Sequence, residues 1–111
     1  MIGDLTAFQR DILYVLAGLD DPAGIDVKDE LDEYYTASVE HSRLYQALNR
    51  LVDKQLVEKG EKDARTNEYG LSDDGETLLR RHHEWREQHF HSLRVMEIQE
   101  HAAPGIPADE G

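Results

Sequence analysis

Ser42, Arg43, Gln46, Asn49, Arg50 and Asp53 share one side of a helix that turns about 100° per residue, while Leu44, Leu48, Leu51 and Val52 share the other. Five of those six polar residues can donate hydrogen bonds, and only Asp53 is acidic. An arginine fork can bond both acceptors on the major-groove edge of guanine, Gln and Asn suit adenine, and Ser serves either. The first two turns of a helix lying in a major groove reach the bases, and later residues meet phosphate. Ser42, Arg43 and Gln46 are therefore expected to read base edges. Ser38, Asn49 and Arg50 are expected at the sugar-phosphate backbone, and Tyr45, at the edge of the face, can reach a phosphate with its hydroxyl. His41 lies toward the core side.

The same residue types also make up ordinary solvated helix faces, so two neighbouring features carry the reading. One is local charge. The chain has 111 residues, 24 acidic against 12 basic, and a formal charge of −12. From Ser38 to Asn67 there are six Lys/Arg against five Asp/Glu, whereas residues 1–37 have two against nine and residues 68–111 have four against ten. The helix thus lies in the one stretch without an acid excess. The other feature is the polar, turn-rich segment on its C-terminal side, which reads as a β-hairpin tip. It carries Lys59, Lys62 and Arg65, which can touch phosphates or enter a minor groove. Glu58, Glu61 and Asp63 beside them allow a salt-bridged loop instead.

The elements that must position these residues are read from periodicity. Thr6 with Gln9 three residues on is a capping-box pattern. It opens a first helix, along which Phe8, Ile12, Val15, Leu16 and Leu19 form one face while Leu13 and Tyr14 point elsewhere. Asp20 to Gly24 is a turn. A second helix, about Asp26 to Tyr34, has few apolar residues (Ile25, Val27, Leu31, Tyr34) and an acidic outer face. Thr36 and Ser38 are candidate N-caps for the third helix, which extends to about Gln55. Leu56–Lys59 and Asn67–Leu71 are short strands. Ser72, Asp73 or Asp74 caps a last helix reaching about Gln99, and a Pro/Gly-rich tail ends the chain. The expected fold is mainly α with a small β-hairpin: a winged helix-turn-helix over residues 1–72, a long C-terminal dimerisation helix over 73–100, and a flexible tail over 101–111.

Arg43-Leu44-Tyr45-Gln46-Ala47-Leu48-Asn49-Arg50-Leu51, then Gln55-Leu56-Val57, then Asn67-Glu68-Tyr69-Gly70-Leu71-Ser72 and Gly75 together resemble the PadR family of winged-helix transcription regulators. The resemblance covers about residues 5–80. It implies a homodimeric regulator that binds double-stranded DNA and dimerises through its C-terminal helix. The acidic composition places the likeness near a haloarchaeal member, which implies a part in an oxidative-stress response. Gln55 stands where the family usually has Gly, and Ser72 where it usually has Thr.

Leu78, Leu79, His82, Trp85, His89, Phe90, Leu93 and Met96 lie within about a third of the circumference of the last helix. A stripe of that length exceeds what a small domain covers and calls for a partner, most simply the same helix of a second copy. The expected dimer face comprises Leu13, Tyr14, Leu78, His82, Trp85, His89, Leu93 and Met96. Two copies would present two recognition helices to successive major grooves, hence a pseudo-palindromic site. His82 and His89 within the stripe allow a pH-sensitive contact, although histidines satisfied by hydrogen bonds are the commoner arrangement. His83, Glu87 and His91 have a spacing that can take a divalent metal, a weak signal with no cysteine to support it. No metal or other cofactor is expected.

There is no cysteine, which excludes disulfides and thiolate chemistry. No catalytic residues are assigned, since no nucleophile–base set, phosphate loop or carboxylate cluster stands out. The chain is not read as an enzyme. There is no apolar run long enough to span a membrane, and the N-terminus lacks the layout of a secretory signal, so a cytoplasmic location is expected. The acid excess favours one alternative, a winged-helix protein-interaction module without DNA binding. Salt removes much of that objection. In molar salt the Debye length is about 3 Å, and Arg outnumbers Lys eight to four, a composition resembling that of salt-adapted proteins. Inorganic cations are then expected near the DNA interface. DNA binders ordinarily lose affinity with salt as counterions leave, but acidic flanks would take cations up as the complex forms. Affinity titrated through molar KCl is expected to fall only shallowly or to rise; a steep decline is the contrary result.

Overall fold

The computed structural model describes the backbone of residues 4–101 and the side chains of residues 4–96. Its elements are α1 (Ala7–Gly18), α2 (Gly24–Tyr34), α3 (His41–Asp53), β1 (Val57–Asp63), β2 (Thr66–Leu71) and α4 (Asp73–His101). This is a winged helix-turn-helix with a long last helix. Two compact units are distinguished, Met1–Arg80 and Arg81–Gly111. The proposed flexible tail lies almost wholly outside the described residues.

The start of α1 is as its sequence suggests. The Gln9 amide donates to Thr6 Oγ1 at 3.1 Å, and the Thr6 amide donates to Gln9 Oε1 at 3.0 Å. That reciprocal cap is worth about 1 kcal/mol. Phe8, Ile12 and Leu16 enter the core, and so does Leu13, which is fully buried. Val27 and Leu31 of α2 and Leu44, Leu48 and Leu51 of α3 meet them there. The core continues into Val57, Tyr69 and Leu79. The two strands pair antiparallel from Val57↔Leu71 to Asp63↔Thr66, with an irregularity between Glu61 and Asp63. They run further toward the tip than the expected strands. The Tyr69 amide donates to the Pro22 carbonyl at 2.9 Å and Ala23 bridges Glu68, which fastens the hairpin to the residues before α2.

Helix α3 begins at His41, later than Thr36 or Ser38 would place it, and its N-cap Glu40 makes no side-chain cap bond. The reason lies back on α2. Asp32 Oδ1 accepts from the Val39 amide at 2.7 Å, and Oδ2 accepts from Lys28 Nζ at 2.6 Å and the Ser38 hydroxyl at 3.4 Å. Lys28 also donates to Ser38 Oγ at 3.1 Å. Ser38 is thus drawn back toward α2, and Asp32 sets the turn between the two helices.

At its other end α3 closes in a Schellman arrangement. The Leu56 amide donates to the Leu51 carbonyl at 3.0 Å and the Gln55 amide to the Val52 carbonyl at 2.9 Å. This puts Gln55 at φ 62°, the left-handed region that glycine occupies most cheaply. Ser72 locks the corner. Its hydroxyl donates to the Gln55 carbonyl at 2.7 Å and accepts from the Gly75 amide at 2.9 Å, so Ser72 is the cap of α4. A side chain at Gly75 would collide with the Leu56 carbonyl oxygen. The Gly and the hydroxyl of the family motif therefore serve one purpose: close approach of α4 to the end of α3.

Asp32 gives this turn a pH signature. Its hydrogen bond from Lys28, then that from the Val39 amide, hold its carboxyl below the ordinary value of 3.8. A carboxylate whose folded pKa is depressed stabilises the fold above its unfolded value and loses that effect as pH falls through the folded one. Asp32→Asn is expected to lower the urea midpoint in molar KCl at neutral pH, and the gap from the wild type to close below pH 3.8. A gap that persists in acid would mean that the carboxylate's charge is not what holds the turn.

Candidate nucleic-acid interface

The rotation of α3 is set by burial. With Leu44, Leu48 and Leu51 at zero exposure, Ser42, Gln46, Asn49 and Asp53 form the middle of the outward face, and all four are exposed. Arg43 and Arg50, also exposed, lie seven residues apart along one margin. Tyr45 lies on the opposite margin, half-buried. The two margins differ in their surroundings.

On the Tyr45 side, the phenol packs so closely on Gly24 that no side chain fits there. The His41 ring stacks on Tyr45, with centroids 6.3 Å apart. Tyr45 then lines a cleft together with Ala23, Gly24, Ile25, Arg65, Thr66, Asn67 and Tyr69. The cleft joins the start of α2, the edge of α3 and the wing. It thus brings together two residues expected at the DNA backbone, Tyr45 and Arg65, that are remote in sequence. Asn67 and Gly24 belong to the same surface and were not singled out by the residue pattern.

On the Arg43 side, the guanidinium carbon lies 4.0 Å over the centre of the Phe8 ring. Arg43 is thus held against α1, not in the middle of the outward face. Phe8 reads in the sequence as a core residue, which it also is.

In the wing, Lys59, Lys62 and Arg65 are exposed. Among the described residues none of them is ion-paired, so the tip is not a salt-bridged loop. Asp63 is occupied otherwise. Its carboxylate accepts from the Arg65 amide at 2.9 Å, an Asx turn that shapes the tip. That bond, then one from the Thr66 hydroxyl, lowers its pKa. Ser38, expected at the backbone, is exposed with its hydroxyl engaged by Lys28 and Asp32.

The residues expected at a dimer face divide. Leu13 is a correction: it is fully buried in the first unit and offers nothing to another chain, because α1 is covered on more than one side. Tyr14 and Leu78 are half-buried against that core. Within the second unit, His82 is buried, whereas Trp85, His89, Phe90, Leu93 and Met96 are exposed. His89 Nδ1 lies 2.8 Å from the Trp85 carbonyl oxygen, which only accepts, so Nδ1 carries the proton. The Trp85 ring lies between those of His82 and His89, 6.0 and 4.3 Å away. Among the described residues no three His, Asp or Glu side chains are placed to share a metal ion, those of His83, Glu87 and His91 included. Nor, among those residues, is any helix long and apolar enough to cross a membrane.

No curated protein matches the chain. Solved structures do. RosR of H. salinarum, from crystals grown with NaBr, is 41% identical, with a TM-score of 0.75 over 90% of this chain and 96% of that one. The complex structure of H. salinarum RosR with S1 gives the same identity, with a TM-score of 0.76 over 91% and 96%. A MepR variant from a S. aureus clinical isolate shares the fold at 19% identity, with a TM-score of 0.72 over 86% and 67%. Residues 12–81, from the middle of α1 through the first turns of α4, match the PadR-like family of transcriptional regulators. The chain belongs to that family, and is a regulator and not an enzyme.

Proposed function

We propose that the protein regulates transcription by binding duplex DNA as a homodimer, with α3 in the major groove and the wing on the flanking backbone. The observation that carries this reading is the outward face of α3. In a chain of charge −12 it exposes Ser42, Gln46 and Asn49 with Arg43 and Arg50 beside them, and only Asp53 is acidic. Ser42, Arg43 and Gln46 read bases. Asn49, Arg50 and Tyr45 hold the backbone, as do Lys59, Lys62 and Arg65 of the wing. Ser38 reaches the backbone only if its hydroxyl turns from Asp32.

The second copy docks on the far part of α4. Trp85, Phe90, Leu93 and Met96 are between 49% and 60% exposed, an apolar display that a single chain leaves in water and a two-fold contact would cover. His82 and His89 lie on the same stretch of α4, and Tyr14 and Leu78 of the first unit are proposed to add to the contact. Residues 1–72 then serve as the DNA-binding part and 73–100 as the dimerisation helix, and the target is pseudo-palindromic. The likeness to RosR of H. salinarum supports a salt-rich cytoplasm as the working medium, with inorganic cations between the acidic flanks and the duplex. It also supports an oxidative-stress role. Without cysteine, such a signal would have to act through Met or His oxidation, ions or another protein.

The test is binding in molar KCl to duplexes selected by the wild-type protein from a randomised library. Saturation is expected at two chains per site. Arg43→Ala and Gln46→Ala are each expected to cost about 1–3 kcal/mol on the selected duplex and little on unselected DNA. Unchanged specific binding in both variants would contradict the readout assignment; failure of the wild type to enrich any sequence would contradict the function.

A further inference from the structure

Arg43 is restrained by an aromatic face and not by an acid. Its guanidinium carbon lies 4.0 Å from the Phe8 centroid, and among the described residues no carboxylate pairs with it. Phe8 is itself fixed. It is buried near the start of α1, and its ring tilts on that of Tyr35, with centroids 6.1 Å apart. Tyr35 donates its hydroxyl to the Asp11 carboxylate, back on α1. Burial, then that bond, pushes the Tyr35 pKa up to about 12, so the donor keeps its proton throughout the neutral range.

The chemistry of the contact matters. A guanidinium is flat, and its N–H donors point outward in its plane. Held over a ring, Arg43 has no carboxylate partner among the described residues, so its N–H donors are not committed to an acid. A bidentate ion pair with Asp or Glu would occupy two of its five N–H donors and neutralise its charge. In a chain with 24 carboxylate side chains, an aromatic support orders an arginine without occupying the group that must meet DNA. A side chain ordered beforehand also has less rotamer freedom to lose on binding.

We propose that Phe8, on the first helix, is a positioning residue for base recognition: it holds Arg43 at the margin of α3 without pairing it to an acid, and so sets a guanine, with its adjacent pair of acceptors, at one fixed position of each half-site. This rests on the DNA-binding reading above. It assigns a specificity role to a core residue outside the recognition helix and the wing.

The test has two arms. In the free protein, the Arg43 Nε–Hε resonance should show a ring-current shift that Phe8→Leu removes and Phe8→Tyr retains. Phe8→Leu nearly conserves volume, and thermal melts would check that both variants fold. In the second arm, wild type, Phe8→Leu, Phe8→Tyr, Arg43→Ala and the double variant each select from a randomised duplex library in molar KCl. The wild-type motif should contain a guanine that Arg43→Ala loses. Phe8→Leu should lower its enrichment by about two- to five-fold and leave the other positions unchanged. Phe8→Tyr should keep it, and Phe8→Leu should add nothing in the Arg43→Ala background.

A missing ring-current shift in the wild type would overturn the proposal even if neither Phe8 variant folds. So would an unchanged or stronger guanine preference in Phe8→Leu, the latter showing that the ring holds Arg43 away from DNA. A wild type that enriches no sequence removes the DNA-binding reading and this inference together. A wild type that selects a motif indifferent to Phe8 removes this inference alone.

Discussion

Everything on the proposed DNA-facing side depends on how α3 is rotated, and that rotation is fixed by Leu44, Leu48 and Leu51. All three are wholly buried, and each contributes about 1.5–3 kcal/mol on leaving water. A rotation by one residue would bring the Arg43 and Arg50 positions toward the core and expel leucines, a cost no surface contact offsets. The Asp32 carboxylate at the start and the Gln55–Ser72–Gly75 corner at the end hold the helix along its axis. The wing enters the same construction because Val57 and Tyr69 belong to that core. The recognition face is in this sense a by-product of a hydrophobic seam.

Charge then decides what such a face can meet. Acidic side chains cover α2 and recur through α4, while the outward face of α3 and the wing keep their arginines and lysines free of ion pairs among the described residues. In dilute buffer the surrounding negative field would repel DNA. With the Debye length near 3 Å in molar salt, only groups in contact matter, and apart from Asp53 on α3 and wing acids such as Glu58 and Glu61 those groups are basic or neutral. Phe8 beneath Arg43 fits the same logic, since it orders a cation without introducing another anion.

Much of this is legible in the residues, because it depends on local spacing. The capping box of α1, the spacing of the leucine seam, the turn-rich tip of the hairpin and the cap of α4 by Ser72 are each written in residues a few positions apart. What escapes is contact made over distance. Thr36 and Ser38 look like helix starts until Asp32 of α2 claims the Val39 amide. Leu13 looks spare on a helical wheel, which cannot show that α1 is covered on two sides. The left-handed helix end at residue 55 explains why a glycine is usual there, not why this chain has Gln55. The Arg43–Phe8 contact joins residues whose separate roles, polar reader and apolar core, give no hint of each other.

The central claim is that one carboxylate-poor face of an acidic chain makes the contact with DNA. Amide and side-chain chemical-shift mapping, with the selected duplex titrated into the labelled protein in molar KCl, addresses it directly. The account predicts perturbations concentrated at Ser42, Arg43, Gln46, Asn49 and Arg50, with a second group at Lys59, Lys62 and Arg65, and little change at Asp29, Glu30 and Glu33. Perturbations centred on α2 or on the exposed part of α4, with α3 silent, would contradict it.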